Sequence, residues 1–217
     1  TYIQDYSEDV NVNNRPLILI CPGGGYAFNS EREWEALAFQ FLAMGCHAAV
    51  LRYSCAPARY PVALTELAAS IALVREHAKE WHVDPKAVLV LGCSAGGHLA
   101  ASLGVLWEEP FLAGTVGISP KEQKLLRPDG MILCYPVITG GEFAHRGSFQ
   151  CLLGEEEGSL EKAGDPQSML SRLSLETRVT EKTPPTFIWH TFTDGSVPVE
   201  NSLLFVSALK KANVSTE

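Results

Sequence analysis

"VLVLGCSAGGHLAA", residues 88–101, decides how the 217-residue chain is read, because an apolar run, a glycine-flanked serine and a helix-forming run follow one another without a break. The apolar run ending at Leu91 has the length and near-continuous apolarity of a strand buried on both faces. Gly92-Cys93-Ser94-Ala95-Gly96 then matches G-x-S-x-G, and the residues after it read as a helix. Between a strand and a helix, this motif forms a sharp turn that lifts the serine hydroxyl off the end of a sheet. A serine at a helix N-terminus also lies beside backbone N–H groups that favour developing negative charge. Ser94 is therefore the candidate nucleophile, and the plainer reading is a turn serine between two glycines.

Outward from this stretch the same rhythm repeats. Leu17 to Cys21, Cys46 to Tyr53, Ala87 to Leu91, Met131 to Tyr135 and Thr186 to His190 are five short apolar runs of strand length. Ser30-Glu31-Arg32-Glu33 reads as a capping box, Trp34, Leu37, Ala38 and Phe41 follow at helical spacing, and Gly45 stands where a C-terminal cap belongs. Leu64, Leu67, Ile71, Val74, Ala78 and Trp81 alternate steps of three and four, which predicts a second helix with one apolar face. Strands alternating with helices of this length predict an α/β fold: an open, mostly parallel sheet with helices on both faces, with too few units for a barrel. Residues 1–217 read as a single domain, and about 138–185, rich in Gly, Ser, Glu and Pro, as a cap or substrate-side insertion too long for an idle connection.

Composition narrows the function. Apolar residues make up 46% of the chain and charged residues 19%, with no run approaching the ~20 apolar residues of a membrane span. A net charge of −8 argues against a nucleic-acid partner and gives no reason to expect an anionic membrane surface. The six cysteines form no CxxC pair and sit largely in apolar runs, so buried free thiols and a reducing, cytoplasmic compartment are expected. Thr1 is not a natural start, which keeps a removed leader compatible with the sequence.

Open α/β sheets bind ligands beyond the carboxyl ends of their strands, so the residues after each apolar run carry the chemistry. After the first run, Pro22-Gly23-Gly24-Gly25-Tyr26 lacks the Lys-Ser/Thr of a phosphate loop, and Phe28 stands where a dinucleotide fingerprint needs glycine. Residues without side chains suit an oxyanion hole here, an N–H of Gly24 or Gly25 joining that of Ala95. After the fifth run, Asp194 leaves the strand on a loop before Pro198, in the chain order expected of a triad acid, although Asp-Gly is also an ordinary turn pair.

"CPGGGY", "GCSAGGHLAA", "CYPVIT" and "TPPTFIWHTFTDGSVPVENSLLF" together resemble the bacterial α/β-hydrolase esterases related to acetyl xylan esterases, over nearly the whole chain. The resemblance implies Ser94 as nucleophile, Asp194 as triad acid, and the Gly23–Gly25 loop with Ala95 as oxyanion donors. It also implies ester hydrolysis without metal or organic cofactor, and acetylated sugars or oligosaccharides as substrates. A serine peptidase of the prolyl oligopeptidase type shares the elbow but usually carries a large further domain. Glu142, Glu155, Glu156 and Glu157 make the insertion unlike an apolar lipase lid. Homo-oligomer formation is left open.

One departure stands out. His47, His77, His82, His98, His145 and His190 all precede Asp194, whereas the family's base lies on a loop after one further strand. The expectation is a triad histidine beyond Glu217, with the chain clipped there and also at Thr1-Tyr2-Ile3-Gln4, which reads as a strand without its hairpin partner. His98 should project from the side of its helix as a buried, hydrogen-bonded histidine, His190 should lie within its strand, and nothing places His145 at the serine. A hydrolase-fold binding protein that has lost its chemistry is the reading from another class; the retained elbow, triple glycine and Asp194 weigh against it.

Overall fold

In the computed structural model, which describes residues 14–154 and 168–217, the five apolar runs are five strands: β1 (Arg15–Cys21), β2 (His47–Val50), β3 (Val83–Cys93), β4 (Gly130–Cys134) and β5 (Thr186–Trp189). They form one parallel sheet in the order β2-β1-β3-β4-β5. Successive side chains point to opposite faces, so each run serves two cores. Leu17, Leu19, Val88, Val90, Met131 and Leu133 enter one face; Ile18, Ile20, Leu91 and Cys93 enter the other. That double burial is why the strands read as unbroken apolar runs rather than as alternating ones.

The helices are α1 (Glu35–Ala43), α2 (Val62–Glu76), α3 (Ala95–Leu106), α4 (Pro110–Val116), α5 (Arg146–Leu153), α6 (Met169–Arg172) and α7 (Glu200–Lys211). Leu64, Leu67 and Ile71 of α2, Leu99 and Leu103 of α3, and Phe205 and Leu209 of α7 fill the first face, while Leu37, Ala38 and Phe41 of α1 cover the second. Each fully buried Leu, Ile or Phe among these contributes roughly 1.5–3 kcal/mol of burial. The second face thins out towards β5, where Phe187 and Trp189 are about half exposed. Ser215–Glu217 continue the sheet beyond β5: Thr186 N–H donates to Ser215 O at 3.0 Å and Ile188 N–H to Glu217 O at 2.8 Å. No helix among the described residues is long and apolar enough to cross a membrane.

Several local expectations need correcting. The capping box at Ser30 is not made: Ser30 precedes a short 3-10 turn (Glu31–Glu33) without a side-chain cap, and α1 starts two residues later with Trp34 at its N-cap. At the other end Gly45, at φ 84°, closes α1 as the spacing predicts, with Cys46 N–H reaching Phe41 O at 3.0 Å. Helix α2 ends at Glu76 rather than continuing to Trp81, because the chain turns through His82, at φ 53°, to enter β3. Of the six free cysteines only Cys21 and Cys93 are buried; the other four are partly exposed. Helix α4 and the 3-10 segment Pro120–Leu126 had no periodic signal strong enough to read. The expected strand at Thr1–Gln4 and the glutamates 155–157 of the insertion lie outside the described residues; the rest of 138–185 carries α5, α6 and a 3-10 turn (Leu175–Thr177).

The glycines of the elbow follow from close approach. A Cβ on Gly92 would strike the Gly96 carbonyl, and one on Gly96 would strike the carbonyls of Cys21 and Pro22. Gly96→Ala is expected to lower unfolding free energy by about 2 kcal/mol or more, as overpacking against backbone does. Gly114→Ala, where a new Cβ meets nothing within 4 Å, should be neutral or stabilising. Urea denaturation of the two variants checks this; equal effects would show that the Gly96 contact yields freely.

Candidate active site

Strand β3 ends at Cys93, and the chain turns straight into α3. The turning residue, Ser94, is held at φ 53° and ψ −119°, a conformation that costs a non-glycine residue about 1–3 kcal/mol and persists only where its surroundings impose it. Those surroundings are visible. Ser94 N–H donates to Cys134 O at 3.0 Å, and Ser94 O accepts from Val137 at 3.0 Å and His98 at 3.1 Å. The side chain faces a cavity of about 430 Å³ at the carboxyl ends of β1, β3, β4 and β5, lined also by Gly24, Glu33, Tyr135, Trp189 and Asp194. No side chain among the described residues hydrogen-bonds the Ser94 hydroxyl.

The loop after β1 forms one wall. Gly24, Gly25 and Tyr26 all have positive φ, at 126°, 64° and 59°. A side chain on Gly24 would collide with the Phe28 carbonyl, and one on Gly23 would come within 3.1 Å of Ser94 Cβ. Gly23 gives its N–H to Glu33 Oε2 at 2.6 Å. Among the described residues the N–H groups of Gly24 and Gly25 have no protein acceptor, and Ala95, as first residue of α3, has no helical carbonyl upstream. Gly24 lines the cavity, whereas Gly25 lies towards Ser148.

Asp194 forms the opposite rim. Its Oδ1 accepts from the N–H groups of Ser196 at 2.8 Å and Val197 at 3.0 Å. Partial burial works to raise its carboxyl pKa, but these two donors, with His190 and His145 nearby, outweigh it and hold the group below its ordinary range. Asp194 is thus an ionised acceptor, with Oδ1 tied to the loop and Oδ2 lying 3.6 Å from His190 Nε2.

The histidines lie elsewhere, and none lines the cavity of Ser94. His98 is buried on the side of α3, its Nδ1 2.9 Å from Tyr26 Oη and its Nε2 3.1 Å from Leu173 O. His190 lies just past the end of β5, one residue beyond the strand expected to contain it, and bonds Ser202 Oγ at 2.7 Å and Val197 O at 3.0 Å. His145 caps α5 through Ser148. Two further residues of the rim are not apparent from the sequence. Glu33 reads there as a cap, and Asn201 is fully buried, its Oδ1 accepting from Ile138 at 2.9 Å and Thr139 at 3.0 Å, tying α7 to the segment after β4. An asparagine one turn past Pro198 carries no periodic signal that would reveal this.

Residues 4–209 match the BD-FAE family. The chain is 34% identical over 218 residues to endo-1,4-beta-xylanase B of Butyrivibrio fibrisolvens, covering 96% of this chain and 31% of that protein. It is 29% identical over 206 residues to an acetylxylan esterase of Xylanibacter ruminicola, covering 93% of this chain and 38% of that one. Among solved structures, an acetyl ester-xyloside bifunctional hydrolase from Caldicellulosiruptor lactoaceticus superposes with a TM-score of 0.83 at 40% identity, over 100% of this chain and 74% of that one. A carboxylesterase from Lactobacillus plantarum superposes with a TM-score of 0.78 at 30% identity, over 99% and 74%. The chain therefore spans about a third of the length of the two sequence relatives and about three quarters of the two solved ones.

His98 supplies a test of how the site is held. Burial drives its pKa from 6.5 down to about 4, the bond to Leu173 O opposing this only in part. Between those values the unfolded chain binds more protons than the folded one, so stability is full above pH 6.5 and falls as pH drops towards 4. The loss attributable to this group approaches roughly 3 kcal/mol. The difference in urea unfolding free energy between wild type and His98→Asn should shrink by about that amount between pH 7 and pH 4; a difference independent of pH would remove His98 from the account.

Proposed function

The chain belongs to the BD-FAE family, and from that footing we propose that it is a serine esterase acting on short-chain acyl esters, above all acetyl esters of sugars or oligosaccharides, through an acyl-enzyme. The observation that carries the reading is Ser94 held at a positive-φ elbow in the same cavity as Asp194, beside a glycine loop in which the N–H groups of Gly24 and Gly25 have no protein acceptor among the described residues. Ser94 Oγ attacks the ester carbonyl while a base removes its proton. The tetrahedral oxyanion is held by the N–H of Ala95 and by that of Gly24 or Gly25, preorganised donors aimed where the charge develops. Collapse expels the alcohol, which takes the proton back from the base. Water, activated by the same base, then releases the acid.

Asp194 orients that base and balances the charge it acquires. We take the base to be a histidine beyond Glu217. The engagement of His98, His145 and His190 away from the cavity supports this. No metal or organic cofactor enters the proposed reaction. The acetyl and saccharide preference draws on the names of the acetylxylan esterase and of the acetyl ester-xyloside hydrolase, and on a cavity whose lining among the described residues includes two carboxylates, Glu33 and Asp194, and no lysine or arginine.

In the natural full-length protein, Ser94→Ala is expected to lower kcat by at least ~10³, since only oxyanion binding is left without Oγ. Near-normal turnover would move the nucleophile elsewhere. The same protein should hydrolyse p-nitrophenyl acetate faster than the decanoate and release acetate from acetylated xylo-oligosaccharides. A preference for the decanoate would reject the short-acyl assignment.

A further inference from the structure

Glu33, whose spacing from Ser30 suggests a helix cap, does something else. It lines the Ser94 cavity, and its two carboxylate oxygens join two different walls. Oε2 accepts the N–H of Gly23 at 2.6 Å, and Oε1 accepts the hydroxyl of Tyr135 at 2.9 Å. Tyr135 is the first residue after β4, fixed by its own N–H to Trp189 O at 2.6 Å, and Gly23 is the first glycine of the loop after β1. The carbonyl of Gly23 is held by the same short segment, accepting from Ser30 N–H at 2.9 Å. Both backbone groups of Gly23 are thus fixed by the stretch from Ser30 to Glu33.

We propose that Glu33 is a positioning residue of the esterase site: its carboxylate braces the glycine loop against Tyr135, so that the N–H groups of Gly24 and Gly25 are presented to the oxyanion that forms on Ser94. The inference rests on the esterase reading and adds a residue to it. Gly23 packs directly on the elbow, a side chain there coming within 3.0 Å of Cys93 O and 3.1 Å of Ser94 Cβ, so displacement of the loop shifts the donors relative to the nucleophile. The three positive-φ residues that follow Gly23 lie in no helix or strand, and Tyr26 is anchored at the far end, its hydroxyl to His98 and its carbonyl accepting from Ala56 N–H at 2.7 Å, which leaves the start of the loop to Glu33 and Ser30. Burial, then the nearby Cys93 and Glu33, pushes the Tyr135 hydroxyl pKa up, which keeps it a donor. Charge itself is no advantage: a carboxylate near a developing oxyanion opposes it. What the carboxylate supplies is two short, charge-assisted bonds from one rigid group.

That distinction makes the inference testable. Glutamine can keep both links, its amide oxygen accepting from Gly23 and its amide N–H donating to Tyr135 Oη, while alanine keeps neither. In the natural full-length protein with p-nitrophenyl acetate, Glu33→Ala is expected to lower kcat about 10- to 100-fold with KM within about threefold, the scale expected when donors are misplaced by around an ångström. Glu33→Gln should restore kcat to within about threefold of wild type or exceed it, and Tyr135→Phe should fall between. If Glu33→Ala fails to fold by circular dichroism, the Glu33→Gln and Tyr135→Phe values decide. Full kcat in Glu33→Ala, equal losses in Glu33→Ala and Glu33→Gln, or an effect confined to KM would overturn the brace. Ser94→Ala measured alongside separates the two claims: turnover that survives it removes the esterase reading, and the brace with it. Turnover abolished by Ser94→Ala but indifferent to Glu33 removes the brace alone.

Discussion

The first turn of α3 lies directly on the end of β1, and the site depends on that contact. Gly96 has no room for a Cβ because the carbonyls of Cys21 and Pro22 occupy the space, and Gly92 has none because the Gly96 carbonyl does. Strand β3 can therefore turn into α3 within one residue, and that residue must take the strained conformation seen at Ser94. The same contact brings the loop after β1 against the serine. The serine and the N–H groups of the glycine loop are positioned by one close approach of backbone to backbone, which explains why G-x-S-x-G and the triple glycine occur together in one chain.

Close approach alone does not order a loop of positive-φ residues, and the rest of the rim supplies the restraint from several sides. Tyr26 is held by His98, which is itself pinned to Leu173 O within the insertion. Tyr53 donates to Pro22 O at 2.7 Å, fixing the loop's entry. Glu33 holds Gly23 from the opposite face of the sheet, and Asn201 ties the start of α7, just past Asp194, to the segment after β4. These groups lie far apart in sequence, between 10 and 75 positions from their partners. Each converts a loop end into part of one rigid rim, as a site that stabilises charge through fixed dipoles requires.

This separation also explains what could be read from the sequence. The five strands, the helices with regular apolar spacing and the elbow were legible because their cause is local: burial on two faces, a repeat of 3.6, or a glycine flanking a serine. Glu33 misleads because a local rule, the capping box, accounts for it fully within four residues, whereas its partners Gly23 and Tyr135 lie 10 and 102 positions away. The end of α2 was misplaced for a similar reason: Ala78 and Trp81 keep the apolar period, but the chain must turn at His82 to feed β3. His98 was legible in part, since its spacing from Ser94 put it on the side of α3; its partners Tyr26 and Leu173 were not.

The two rims of the cavity differ in electrostatic design. On the glycine side N–H groups are left without acceptors, a standing demand for negative charge that Glu33 meets only at Gly23. On the other side Asp194 is itself the charge, held ionised by Ser196 and Val197, so it can attract and orient a cation without first losing a proton. Ser94 sits between a place for an anion and a partner for a cation. This is the charge pattern that arises when a serine gives its proton to a base and an ester oxygen becomes negative. In the proposed reaction the oxyanion side must be rigid to the ångström, and its groups lie in the loop after β1 and the first turn of α3. In the same reaction the Asp194 side has only to offer a fixed carboxylate at the rim, a looser demand than the one on the glycine side.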